Sequence, residues 1–224
     1  MKFLLQTLCV AVLSISFAVR AGDDIRWTEE VKLSDGRVVQ IQRHVELTDS
    51  GFPLQRRGFT KYYEICYPPM DIHWKSKGGY QPDIFDIVAG KAYMHVPISD
   101  CFSCEHHGYP STNALYFVWD NGTWKQIAHE DFPKGSEWNL LMQTNQGSKE
   151  TDPQGLITIE DKTMGKQADS SLLREQQRLG WKRVSDSHSW KGRCDACRGV
   201  KNRIYGDSKD IFEIFVQGAA QFCQ

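Results

Sequence analysis

Apolar and polar residues alternate with a period of two along the first part of the chain. Between residues 27 and 47 seven of the eight apolar side chains stand on odd positions: Trp27, Val31, Leu33, Val39, Ile41, Val45 and Leu47. Such alternation is typical of strands with one buried and one solvent-facing side. Ser34-Asp35-Gly36 predicts a three-residue turn, because only an odd loop pairs Val31 with Val39 and keeps one face apolar. Gly36 supplies the left-handed conformation that the last turn residue needs.

Later segments carry the same strand pattern. Residues 62–67 are aromatic and apolar, and Pro68-Pro69 ends them. Residues 92–98 place four apolar side chains on one face: Ala92, Met94, Val96 and Ile98.

The strongest hairpin signal lies between residues 115 and 127. Asn121-Gly122 is the pair that a tight two-residue turn favours, and it separates two apolar runs. This register places Trp119 opposite Trp124 as an aromatic pair across two strands. The same turn reads as an N-glycosylation acceptor, Asn121-Gly122-Thr123, but we prefer the turn interpretation because the leader described below is bacterial in character.

The last third of the chain has a helical period. One apolar face recurs every three or four residues: Ile211, Ile214, Phe215, Gly218, Ala219 and Phe222. Residues 170–179 form a shorter amphipathic segment that Gly180 ends, and residues 145–166 are polar and indicate a loop or two weak strands. Strands followed by helices predict an α+β fold, with an antiparallel β-rich core and C-terminal helices over residues 165–224.

Residues 1–21 have the anatomy of a secretory signal peptide. Lys2 gives a positive start, residues 8–19 are almost wholly apolar, and Val19-Arg20-Ala21 fits a signal-peptidase site. The apolar run is shorter than the roughly 20 residues of a membrane helix. We therefore expect a single domain, residues 22–224, that is periplasmic or secreted and keeps no stable membrane span.

Charge and motifs narrow the class of protein. The 27 basic and 28 acidic residues leave no basic excess, which argues against a nucleic-acid partner. The chain contains no nucleophile elbow, His-Glu-x-x-His, phosphate-loop or EF-hand motif. The sequence does not decide whether the protein is an enzyme, but it favours a binding protein whose partner is a protein or a small molecule.

Six of the seven cysteines follow the leader, and an even number suggests disulfides in an oxidising compartment. They are Cys66, Cys101, Cys104, Cys194, Cys197 and Cys223. Six cysteines allow 15 pairings, and the sequence does not choose among them. We favour disulfides, with at least one bridge that ties the C-terminal segment to itself or to the β-rich body.

Two alternatives use the pair of Cys-x-x-Cys motifs. In the first, a zinc ion is held by thiolates and nearby imidazoles drawn from Cys101, Cys104, His106, His107, Cys194 and Cys197. The gap of about 90 residues between the motifs is longer than in common zinc ribbons. In the second, Cys101 and Cys104 form a redox dithiol, although the residues after Cys104 do not indicate the helix that such sites use.

The remaining titratable residues fit solvation better than chemistry. Asp83 with Asp86, and Glu29 with Glu30, could be paired carboxylates, but exposed strand faces and loops explain such pairs more often. His44 lies on the polar face of a strand. The other histidines stand in no motif: His73, His95, His129 and His188. A small basic patch, Arg56-Arg57 with Lys61, is interpreted as a solvated loop.

Several short strings together resemble a group of exported proteobacterial proteins. They are Trp27-Thr-Glu-Glu-Val-Lys-Leu-Ser-Asp-Gly-Arg37, Gly51-Phe-Pro53, Arg56-Arg-Gly58, and Tyr67-Pro-Pro69 followed by His73-Trp-Lys-Ser76. The resemblance covers about residues 26 to 140 and implies a Gram-negative, periplasmic protein without a particular activity.

The hypothesis from sequence is an exported, non-enzymatic binding or interaction protein without a cofactor. The alternative is a metal-dependent hydrolase or a thiol–disulfide oxidoreductase centred on the Cys-x-x-Cys pairs, with zinc as the cofactor of the hydrolase.

Overall fold

Two β-sheets make up most of the computed structural model, which describes residues 24–48, 60–78, 80–98, 101–141 and 155–164. The first sheet is an antiparallel meander of β1 (Asp24–Lys32), β2 (Val38–Leu47), β3 (Thr60–Tyr67) and β4 (Ile72–Lys77). The second is a meander of β5 (Ile84–Val88), β6 (Lys91–Pro97), β7 (Ala114–Asp120) and β8 (Thr123–Ile127). A short strand, β9 (Gly155–Ile157), joins the first sheet in parallel with β1.

The expectation of an α+β fold is wrong. Within the described residues the chain is mostly β-sheet, and its two α-helices are only six residues long: α1 (Cys101–His106) and α2 (Ile159–Met164). The physical reason is that the second sheet, rather than a layer of helices, covers the apolar face of the first. The helical patterns at 170–179 and 211–222 lie outside the described residues. None of the described helices is long and apolar enough to cross a membrane.

The predicted register of the first hairpin is confirmed. Val31 pairs with Val39, and the backbone N–H of Leu33 donates to the carbonyl of Arg37 over 2.8 Å. Gly36 has a φ of 88°, so it occupies the left-handed conformation that the three-residue turn requires.

The predicted Asn-Gly hairpin is confirmed as well. Trp119 pairs with Trp124, and their ring centroids lie 5.3 Å apart. Asn121 and Gly122 have φ values of 50° and 77°, as a primed two-residue turn demands.

The interior between the sheets is filled by large side chains. Trp74 from the first sheet packs edge-on against Phe117 from the second, with ring centroids 5.1 Å apart. Both sheets contribute to one continuous apolar cluster, and its fully buried members include Ile41, Ile65, Phe85, Met94 and Leu115. Among the described residues, the space between the sheets is therefore occupied by side chains.

Residues 128–141, which we call the strap, cross the outer face of the second sheet. Phe132 and Trp138 of the strap pack on outward-facing side chains of the sheet: Ile84, Ala114 and Tyr116. The strap then passes to the first sheet, where the backbone N–H of Leu141 donates to Glu29. This path carries the strap past the β1–β2 turn.

Hydrogen bonds tie the two sheets together on both sides of the sandwich, near β1 and β5 and near β4 and β8. Beside β1 and β5, Asn139 of the strap donates to the carbonyls of Lys32 and Phe85 and accepts from the N–H of Phe85. Beside β4 and β8, the indole N–H of Trp124 donates to the carbonyl of His73 over 2.7 Å.

Candidate ligand-binding cleft

A cleft of about 540 Å³ opens where the β1–β2 turn, the end of the strap and α2 meet. Its walls are Lys32, Leu33, Ser34, Asp35, Gly36, Gly135, Glu137, Trp138, Asn139, Ile159 and Lys162. A shallower depression of about 590 Å³ adjoins it and shares Ser34, Asp35 and Gly135 with it. The cleft has the size of small-molecule sites, and its walls mix apolar, hydrogen-bonding and charged groups.

The turn side of the cleft is held in place by Asp35 and Arg37. The carboxylate of Asp35 accepts from the backbone N–H of Arg37 over 3.0 Å and from its guanidinium over 2.6 Å. These two bonds lower the pKa of Asp35, the backbone bond most strongly. Arg37 also donates to the carbonyl of Ile87, which links the turn to the second sheet.

Asp86, a buried residue of β5, links the β1–β2 turn to the strap. Its carboxylate is fully buried and accepts from the backbone N–H groups of Ser34 and Ile87 and from the hydroxyl of Ser136. Bonds from three places in the chain give the cleft walls fixed positions relative to each other.

Three buried charged residues, the Glu29 cluster, lie at the α2 side of the cleft. The carboxylate of Glu29 contacts the guanidinium of Arg43 over 3.0 Å and the ammonium of Lys162 over 2.9 Å. All three side chains are at least 96% buried. Lys162 belongs to α2 and also lines the cleft, so the cleft adjoins a buried cation.

The environment of Glu29 favours its charged form. Burial by itself raises the pKa of this carboxyl, but the charges of Lys162 and Arg43 and the bond from Leu141 N–H outweigh burial. The pKa of Glu29 therefore lies below its ordinary value. The indole N–H of Trp27 donates to the same carboxylate over 3.2 Å.

The cysteines expected to carry chemistry do not line this cleft. Cys66 and Cys104 are buried, and each is disulfide-bonded. Which cysteines pair with each other stays a prediction. Cys101 opens α1, which makes the expectation of no helix at this motif wrong. Cys194, Cys197 and Cys223 lie outside the described residues.

The two histidines beside the first Cys-x-x-Cys contact each other and a tyrosine. The rings of His106 and His107 are 4.8 Å apart, and His107 Nε2 lies 3.1 Å from the hydroxyl of Tyr80. Over the part of the chain that the structure describes, no group of three or more His, Cys, Asp or Glu residues is arranged to hold a metal ion.

The interpretation of Glu29, Asp83 and Asp86 as solvated carboxylates is wrong, because all three are buried and hydrogen-bonded. One signal was available for Glu29: it stands on an odd position between Trp27 and Val31, and therefore on the buried face of β1. Asp83 and Asp86 carry no such signal, because their burial depends on the strap.

A second buried polar group lies under the strap. Asp83 Oδ1 is 2.5 Å from Nδ1 of His95, and the His95 ring packs against Tyr116 and Phe132. Burial raises the pKa of Tyr116 to about 12, although Thr112 lowers it, and the charges of Asp83 and Glu130 add to the rise.

A row of polar side chains runs across the first sheet, where His44, Glu64 and Lys75 are direct neighbours on β2, β3 and β4. Burial raises the pKa of Glu64, but hydrogen bonds from His44 and Lys75 outweigh it and lower the pKa. His44, expected on a solvated face, is thus 7% exposed, and its Nδ1 lies 3.2 Å from the carboxylate of Glu64.

No protein-family model, curated protein or solved structure matches this chain. The function therefore has to be argued from the site. Chemically, the cleft offers one buried ammonium, ordered polar side chains and an apolar wall.

Proposed function

We propose that this protein is an exported, non-enzymatic binding protein that holds a small ligand in the cleft between the β1–β2 turn, the strap and α2. The observation that carries the proposal is the cleft itself, whose 540 Å³ suit a small molecule. Between the sheets, by contrast, large side chains fill the described interior.

The rigidity of the cleft walls supports a role in recognition. Asp86 fixes the turn and the strap, Asn139 fixes the strap to both sheets, and Glu29 fixes Lys162. A site whose polar groups are already ordered loses less conformational entropy when it binds a ligand. These bonds join groups of the protein itself and form without a ligand. The walls of the cleft are therefore ordered before a ligand binds.

Ligand screening by nuclear magnetic resonance tests the proposal. The sample is the mature protein, residues 22–224. We expect fragments that bind it to shift the backbone amide signals of Gly36, Gly135 and Asn139 together. Ser34→Trp should abolish these shifts, because the indole fills the cleft while the backbone bond to Asp86 remains.

Gln40→Trp is the matched control, since Gln40 is exposed on β2 and does not line the cleft. It should leave fragment binding unchanged. A screen without shifts at the cleft amides, or shifts that survive Ser34→Trp, would contradict the proposal.

Export rests on the leader and is tested by N-terminal sequencing. Protein recovered from the periplasm or medium should begin at Gly22, because Ala21 ends the cleavage motif. Membrane-bound material that still begins at Met1 would overturn this part of the proposal.

Oxidation of the cysteines distinguishes the binding protein from the zinc and dithiol alternatives. Alkylation of denatured, unreduced protein should modify none of the six mature cysteines, because disulfide sulfurs do not react. Four alkylated cysteines together with stoichiometric zinc would favour the hydrolase, since zinc binds thiolates. Two would favour the redox dithiol.

A further inference from the structure

We infer that the cleft binds a ligand with a single carboxylate on an apolar body, and that this carboxylate accepts a hydrogen bond from Lys162. The inference rests on the proposed function and specifies its ligand class. Three independent features of the cleft point to it.

The first feature is an unused donor on a buried ammonium. Lys162 is 4% exposed, and its Nζ donates to Glu29 over 2.9 Å and to the carbonyl of Asn139 over 2.6 Å. An ammonium has three N–H donors, and within the described residues the third has no acceptor. Because the two bonds fix the orientation of the ammonium, the third donor direction is fixed too. A buried donor without an acceptor is costly, so a ligand oxygen would stabilise it.

The second feature is the charge of the Glu29 cluster. Arg43 and Lys162 carry two positive charges against the one negative charge of Glu29. Both oxygens of Glu29 already accept hydrogen bonds: Oε1 from Leu141 N–H and Lys162, and Oε2 from Trp27 and Arg43. One further negative charge would balance the cluster, which matches a monoanion.

The third feature is the character of the walls. Leu33, Trp138 and Ile159 line the cleft with apolar groups, while Lys32 stands exposed at the end of β1. Asp35 is paired with Arg37, so its charge opposes an anion less. Glu137, the other carboxylate of the walls, is exposed, so solvent and salt screen its charge. An apolar body attached to the carboxylate would fill the space between these walls.

Calorimetric titration with three matched probes tests the inference: 3-phenylpropionate, its amide and 2-phenylethylamine. We expect the acid to bind about ten-fold more tightly than the amide, because a charge-assisted hydrogen bond is roughly twice as strong as a neutral one. The amine should not bind measurably. The acid should also shift the amides of Gly36, Gly135 and Asn139.

Two lysine variants locate the carboxylate. Lys162→Gln should reduce the affinity for the acid to that for the amide. Because this variant also removes a partner of Glu29, Lys32→Gln provides a second test at an exposed position, with an expected loss of about three-fold from weaker attraction. Lys134→Gln, in the adjoining depression, is the control and should bind the acid as the unaltered protein does.

Each result decides a different statement. Equal affinity for acid and amide, or tighter binding of the amine, overturns the carboxylate while the cleft remains a binding site. Failure of all three probes, when other fragments still shift the cleft amides, overturns the carboxylate on an apolar body. If no fragment shifts those amides, the proposed function itself fails.

Discussion

Glu29 shows how a strand can carry a charge on its buried face. The residue is fully buried, yet both of its oxygens accept hydrogen bonds and two cations stand within 3.0 Å. A buried set of charges adds little stability compared with well-packed apolar residues, but loss of one member leaves the others charged and unpaired. The Glu29 cluster therefore stabilises the fold only as a complete set.

We predict that Glu29→Gln lowers the free energy of unfolding by about 3–5 kcal/mol at neutral pH, because Arg43 and Lys162 lose their shared counterion. The loss should shrink as the pH falls. The folded pKa of Glu29 lies below its ordinary value of 4.5, so the stabilisation is complete above that pH and disappears on passing through the folded pKa. Urea midpoints at pH 7 and pH 3.5 measure both effects.

Glu46→Gln serves as the control, since Glu46 pairs with Lys61 on the half-exposed face of β2. It should cost less than about 1 kcal/mol. Equal penalties for the two variants would show that burial of the Glu29 cluster contributes nothing.

Tyr116 gives a second prediction for a single residue. Burial raises its pKa from 10.0 to about 12, so the folded state favours the neutral phenol. Its contribution to stability is complete below pH 10 and falls as the pH rises toward 12. In ultraviolet titrations, the folded protein and Tyr116→Phe should show equal phenolate absorbance at pH 10.5. An extra phenolate in the unaltered protein at that pH would refute the assignment.

Among the elements, the strap covers the outer face of the second sheet, as a layer of helices does in other folds. It covers Tyr116 and its neighbours with Phe132 and Trp138, and it reaches both sheets through Asn139. Apart from a 3-10 turn at His129–Asp131, the strap has no regular structure, so its polar groups need other partners. The side chains of Ser136 and Asn139 provide some of these bonds.

We predict that Asn139→Ala costs about 2–4 kcal/mol, because the N–H and carbonyl of Phe85 and the carbonyl of Lys32 lose a buried partner. The Phe85 amide should also exchange with solvent faster. Asn139→Asp keeps the acceptor for this amide and loses the two donor bonds. It should therefore be destabilised while Phe85 keeps more of its protection. Equal exchange rates at Phe85 in the two variants would contradict this account.

At the scale of the whole molecule, the sandwich depends on links between its two sheets. The core holds the sheets face to face, and Asn139 and Trp124 join them on opposite sides. Asn139 bonds to Phe85 of β5 on one side of the sandwich, and the bond from Trp124 to His73 is the described link on the opposite side. Loss of this link should loosen β4 and β8 before the rest of the molecule.

We predict that Trp124→Phe costs about 1–3 kcal/mol, because a phenyl ring fills part of the space but leaves the carbonyl of His73 without its donor. Hydrogen exchange should rise first in β4 and β8. Trp119→Phe is the matched control, because Trp119 stacks on Trp124 itself, and within the described residues its indole N–H donates no hydrogen bond. Similar losses for both variants would mean that ring size, rather than the indole bond, matters.

Local features were predictable from sequence because they depend on residues close together in the chain. The β1–β2 register follows from parity and Gly36, and the Trp119–Trp124 pair follows from Asn121-Gly122. The segments at 27–47, 62–67, 92–98 and 115–127 were thus correctly assigned to strands. Separate strand predictions for β4 and β5 were not made, because each is short and contains polar residues such as Lys75 and Asp86.

Only the tertiary structure decided what covers each sheet and which charged residues become buried. A strand with one apolar face can be covered by helices or by another sheet, and alternation in sequence is the same for both. Lys162 meets Glu29 across 133 positions of chain, and Asn139 meets Lys32 across 107. The cleft is built from such distant contacts. Sequence by itself therefore determined two hairpins, β1–β2 and β7–β8, and the buried side of the strands that it predicted. The site depended on how the sheets, the strap and α2 pack.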